Sequence, residues 1–135
     1  MKTVLAIVLV FSFVNVSAAP CEDAREISYE PNVVELSGVV RIAHARHPNG
    51  MMMTYPVMHL YKPVSIPAGD PSYLVDVEEQ CVSEVQLMAL EPQLRKHVMQ
   101  TSTRSVVVRG KVFHAHTAWH MRPLVIEVLQ IRNAS

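Results

Sequence analysis

The chain has 135 residues, half of them apolar and 18% charged, with 12 basic side chains against 12 acidic ones. That length gives one domain and hardly two, and the apolar share excludes disorder along the whole chain. Zero net charge argues against a general nucleic-acid binder, whose basic surface would collect phosphates.

At the N-terminus, Met1 and Lys2 precede an apolar run from Thr3 to Val14, and small residues follow from Asn15 to Ala19. This order is that of a secretory signal peptide, and the run is short for a membrane span. Val16 and Ala18 sit where the peptidase reads small side chains, whereas Pro20 disfavours a cut after Ala19. Residues 1–18 are therefore expected to be removed, leaving a single domain over 19–135 in the periplasm or outside the cell. Pro20 in front of Cys21 also counts against a lipid anchor, and no later segment is apolar enough to cross a bilayer as a helix. Export favours a disulfide between Cys21 and Cys81, with a reactive thiol, a metal ligand or two unpaired thiols as the alternatives. The bridge would close a loop of about sixty residues, worth about 3–4 kcal/mol in the loop-entropy account.

Along the domain, Val33 to His44 alternates, with Val34, Leu36, Gly38, Val40 and Ile42 on one face and Glu35, Ser37 and Arg41 on the other. This predicts a half-buried strand with a bend or bulge at its glycine. His47 to Gly50 reads as a turn, Tyr55 to Lys62 as a second strand stopped by Pro63, and Pro63 to Pro71 as a loop. Tyr73 to Val77 offers a short strand, and Val82 to Leu90 alternates again, with Val85, Leu87 and Ala89 on one side. Glu91 and Pro92 open a helix through about Gln100, with Leu90, Leu94 and Val98 as its buried stripe. Ser105 to His116 and Pro123 to Ile131 read as the last two strands. Three strands, a helix and two strands match a small five-stranded OB-like β-barrel, all-β apart from that helix; an antiparallel sandwich is the alternative.

With these elements placed, both ends of the domain resemble a known pattern. Cys21, Tyr29-Glu30-Pro31 and Val34 to Gly38 are similar to its opening, and Val107 to Thr117 with His120 and Pro123 to its close. Tyr61-Lys62-Pro63 and Val85-Gln86-Leu87 fall on similar words between them. The chain resembles the bacterial domain-of-unknown-function family 4431, small exported proteins, over nearly all of the mature sequence. The resemblance implies the OB-like fold and export, and no activity. It departs at Ala118-Trp119-His120, where the family has Gly-His-His, and at Ser65, near which the family places its second cysteine; Cys81 would be the substitute partner.

The histidines lead the candidates for chemistry. His114 and His116 are spaced to share a strand face, and His120 follows in the next loop, a set of three nitrogens that would suit zinc. The competing reading is that they cap the barrel end through hydrogen bonds. Met51, Met52 and Met53 after the first strand and Met121 beside Trp119 in the last loop offer soft thioethers for Cu(I) or, more simply, flexible fillers of the barrel mouth or core. His44 is expected far from the other cluster, and His97 exposed on the helix. Glu78 and Glu79 should point to opposite faces as solvated charges, with no carboxylate beside the HxH pair, and Arg41, Arg109 and Lys111 form an outward basic strip. No nucleophile elbow or phosphate-cradling loop is present in the sequence. The expectation is an exported, non-catalytic binding module without a cofactor that takes a protein, glycan or small ligand through Trp119, Met121 and Met51 to Met53. The alternative is a periplasmic Zn or Cu protein using His114, His116 and His120.

Overall fold

The computed structural model describes residues 21–135, so the expected leader and the cut after Ala18 lie outside the described residues. Its elements are β1 (Arg25–Glu26), β2 (Val33–Arg46), β3 (Met52–Ile66), β4 (Glu79–Met88), α1 (Pro92–Gln100), β5 (Ser105–His114) and β6 (Leu124–Asn133). Five of the strands close a ring: β3 pairs β2, β2 pairs β5, β5 pairs β6, β6 pairs β4, and β4 returns to β3. The β4–β6 pairing is parallel and the other four are antiparallel. This is the OB-like order, all-β with one short helix between the third and fourth ring strands. Among the described residues no helix is long and apolar enough to cross a membrane.

Ring closure depends on β2, which changes partner halfway. Val33 to Val39 pair with β5, whereas Gly38 to Arg46 pair with β3. Gly38 marks the overlap because a Cβ there would stand 2.1 Å from the backbone oxygen of His59, a distance no side chain tolerates. Gly110 on β5 has the same problem, 2.2 Å from the oxygen of Glu127, at the one register shift between β5 and β6. Both glycines mark close approaches of backbone to backbone; the register of β2 runs unbroken through Gly38, with no bulge there.

The inward faces follow the alternation read from the sequence. Val34, Leu36, Val40, Val85, Leu87, Val106, Val108, Val112, Leu124, Ile126 and Val128 form one buried cluster. Met58 joins it as a fully buried filler, the role its flexible side chain suits. Glu91 caps α1 by accepting from the amides of Gln93 and Leu94, and Pro92 takes the first turn, where its missing N–H costs nothing. Only Val98 of the expected helix stripe is fully buried; Leu94 packs at the edge, and Leu90 is exposed because it precedes the helix and faces a groove.

Three expectations fail in detail. The second strand runs through Pro63 to Ile66, since Pro63 falls at a register shift and has no ladder partner, while Val64 to Ile66 pair with Arg25–Glu26 and with β4. Tyr73 to Val77 form turns rather than a strand, held by bonds such as Tyr73 N–H to the Asp70 oxygen at 2.8 Å. The extra strand is β1, two residues parallel to β3 that no periodicity announces. Cys21 and Cys81 form a disulfide across 60 residues, with Cα atoms 5.7 Å apart. The Tyr29 hydroxyl donates to the Val77 oxygen, and burial, then Asp76 and Glu79, push its pKa up to about 12.

Candidate binding groove

A second buried layer lies outside the ring. Met53, Tyr55, Val57, Gln86, Phe113 and Val125 are buried, yet none belongs to the inner cluster. Strand alternation puts Gln86 opposite the inward Val85 and Leu87, and Phe113 opposite Val112, so these side chains face outward. The β5–β6 loop, residues 115–123, reaches over this layer at Gln86, Tyr55 and Phe113. Because a loop has no ladder of its own, side chains must hold it. The Gln86 amide donates to the Trp119 oxygen at 3.0 Å and accepts from the Met121 amide at 2.6 Å. The Arg122 guanidinium donates to Glu84 and to the Tyr55 hydroxyl, each at 2.8 Å, and lies over the Tyr55 ring. Glu84 also reaches His59 at 3.2 Å.

The rings of His116 and His120 meet edge to face, 5.0 Å between centroids, and both rest on Phe113. The Nδ1 of His120 accepts from the His116 amide at 3.2 Å, so its proton resides on Nε2. Burial, and then the neighbouring His116, hold the His120 pKa below its ordinary value of 6.5, and this tautomer prevails at neutral pH. His114 takes the other side of β5: its Nε2 meets Glu79 at 2.9 Å and its Nδ1 the Ala115 oxygen at 3.1 Å. The HxH spacing therefore fails to place both rings on one face, because the strand ends at His114 before the alternation reaches His116. The absence of a neighbouring carboxylate is corrected too, since Glu79 is half-buried against His114 while Glu78 stays exposed. Among the described residues no group of three or more His, Cys, Asp or Glu is placed to hold a metal ion.

Where the loop meets α1, a groove of about 550 Å³ opens. Its walls are mainly apolar: Met53 from β3, Leu87 from β4, Leu90 beyond it, Val98 and Met99 from α1, and Trp119 from the loop. Arg95 of α1 stands on the rim with its Nε donating to the Ala89 oxygen at 3.1 Å and its Nη2 to the Leu90 oxygen at 3.3 Å. Of the residues singled out in the sequence, Trp119, Met53 and His120 line this groove; Met51, Met52 and Met121 do not. Met51 and Met52 are exposed, Met52 already within β3, and Met121 contributes its backbone amide to Gln86.

The turn between β2 and β3 reaches the same place. The His47 ring stacks on Trp119 with centroids 4.4 Å apart, so the two loops touch. The long β2–β3 hairpin continues past the stretch of β2 that pairs with β5, which carries its turn to the loop. It is His47 that arrives there, whereas His44 stays exposed on Thr54 Oγ1, 3.1 Å away. His97 is exposed on α1 and Arg41 and Arg109 point outward, as expected.

Gln86, Arg95 and Met99 carry no site reading in the sequence, whereas His47 is one of the candidate histidines there. The signal was present for Gln86: Val57-Met58, Val112-Phe113 and Leu124-Val125-Ile126 are unbroken apolar stretches, the mark of strands buried on both faces. A glutamine amid them needs buried partners.

Comparison with curated proteins returns no match. The model of the domain of unknown function DUF4431 matches residues 84–132, which run from β4 through α1 to β6 and contain Gln86, α1 and the whole covering loop. The opening pattern around Cys21 and Tyr29 lies before this segment. Over this segment, which is less than half of the chain, the protein is similar to the DUF4431 family.

Proposed function

We propose that the protein is an exported, non-catalytic binding module of the cell envelope, and that it takes a small ligand, or an apolar group of a larger partner, in the groove between α1 and residues 115–123. The observation that carries this reading is the groove itself: its volume falls in the usual range for ligand sites, its walls are mostly apolar, and few polar groups converge on it. Its position supports the same reading, since OB-like domains commonly bind through the loops between their first two and last two strands. That support is an analogy of fold. The catalytic side has less support: Gln86 and Glu84 are engaged in holding the loop.

A ligand-observed fragment screen on the protein tests this, using apolar, glycan and peptide fragments against wild type, Met99→Glu and Met51→Glu. Hits lost in Met99→Glu and kept in Met51→Glu are expected. Hits indifferent to Met99→Glu overturn the groove, and stoichiometric Zn(II) or Cu(I) uptake abolished by His116→Ala replaces it with the metal reading. Export is tested by the mass of the protein recovered from the envelope fraction, which should begin at Ala19.

A further inference from the structure

Resting on that groove reading, we propose that the ligand is an anionic amphiphile: a free single-chain carboxylate whose aliphatic tail fills the groove and whose head meets Arg95 and His120. The polar groups around the groove are unequal in what they still offer. The Gln86 amide is used on both sides by the loop backbone, and the Thr54 hydroxyl meets His44. The Arg95 guanidinium is fixed by two carbonyl oxygens through Nε and Nη2, which leaves its Nη1 edge available to an acceptor. His120 keeps its proton on Nε2, because Nδ1 accepts from the His116 amide. The groove therefore presents a fixed cation and an N–H donor, and needs an acceptor.

Charge points the same way. Among the described residues no carboxylate lines the groove. Glu91, four residues before Arg95, turns its carboxylate oxygens to the amides of Gln93 and Leu94 at the start of α1, and Arg95 makes no ion pair among the described residues. A guanidinium without an ion-pair partner beside a low-dielectric wall favours an anion over a neutral head and disfavours a cation. The walls specify the tail. Met53, Met88 and Met99 contribute unbranched thioether chains that adjust to a flexible aliphatic chain better than a rigid surface would.

Calorimetric titration of the protein with decanoate, decanol and decyltrimethylammonium tests the idea, with Arg95→Gln and Met99→Glu as variants. Decanoate is expected to bind about tenfold tighter than decanol, the worth of one charge-assisted hydrogen bond at a partly exposed site, and the ammonium compound not to bind. Arg95→Gln should bring decanoate down to the level of decanol while leaving decanol unchanged, which also shows that the groove survives the substitution. Met99→Glu should abolish both. If decanoate and decanol bind equally and both are lost in Met99→Glu, the anionic head is overturned and the groove reading stands. If none of the three binds, or if phosphatidylglycerol vesicles are bound and free decanoate is not, the aliphatic carboxylate is overturned. Fragment hits lost in Met99→Glu then decide the groove reading separately.

Discussion

The inside of the ring and the patch beneath residues 115–123 are both buried, and they are built from different chemistry. Inside, Val40, Val85, Val106, Val108, Val112, Leu124 and Ile126 form an aliphatic lining with Met58, and Tyr29 is the one member of the cluster that carries a polar side-chain group. Outside, Met53, Tyr55, Val57, Phe113 and Val125 surround a glutamine, and histidines and an arginine pack above them. The inner residues only need to exclude water, because the ladders already fix every strand. The outer ones must position a segment with few ladder bonds, so they use groups whose hydrogen bonds have direction. Burial alone thus does not separate the part that makes the fold from the part that shapes a site; the share of directional contacts does.

That contrast breaks or holds under substitution. Ile126→Ala should cost about 2–5 kcal/mol of global stability, seen as a lower denaturant midpoint with an unchanged slope. Gln86→Leu strips partners from the Trp119 oxygen and the Met121 amide and should cost about 1–3 kcal/mol. Its effect should be local, with amide exchange rising across residues 115–123 while the ring amides keep their protection. If Gln86→Leu instead loosens the whole ring, the two layers are one cooperative unit and the distinction fails.

Trp119→Ala should cost about 0.5–1.5 kcal/mol for the stacked pair, and it sharpens the comparison by asking whether exchange rises in the β2–β3 turn as well as around residue 119. The smallest effect is pH. The pKa of His120 is lowered in the fold, so the unfolded chain takes up the proton first. Its contribution is whole above 6.5 and is lost as pH falls from 6.5 through the lowered value. Protection of residues 115–123, corrected for intrinsic exchange chemistry, should drop across that window in wild type and stay flat in His120→Asn. An equal drop in both would rule out His120 as the source.

The ring was legible because each of its strands carries a period-two face, and because Glu91-Pro92 marks a helix start at a known place in the strand order. Gly38 marks the place where β2 changes partner. The site was legible only in part. Trp119 and Met53 stood out as unusual residue types, but His116 was assigned to a strand that stops at His114. His47 is one of the candidate histidines and sits in a turn, yet nothing local in the chain says that a hairpin will curl far enough to meet a loop some seventy residues later. Gln86 was hidden by the rule that made the fold readable: in an alternating strand, a polar residue between Val85 and Leu87 looks solvent-facing. Only a covering segment from elsewhere in the chain reverses that assignment, and coverage is a tertiary fact.

The contact between His47 and Trp119 has a practical side. Trp119 is the single tryptophan of the chain, it lines the groove, and an imidazole lies against it whose Nε2 is closed off from solvent. Indole emission responds to the polarity around the ring and is quenched by a neighbouring protonated imidazole. The molecule therefore carries its own optical reporter at the place where occupancy matters. A guest entering the groove would shift the emission colour, and separation of the two loops would change its intensity, so filling and opening can be followed as two signals from one unlabelled side chain.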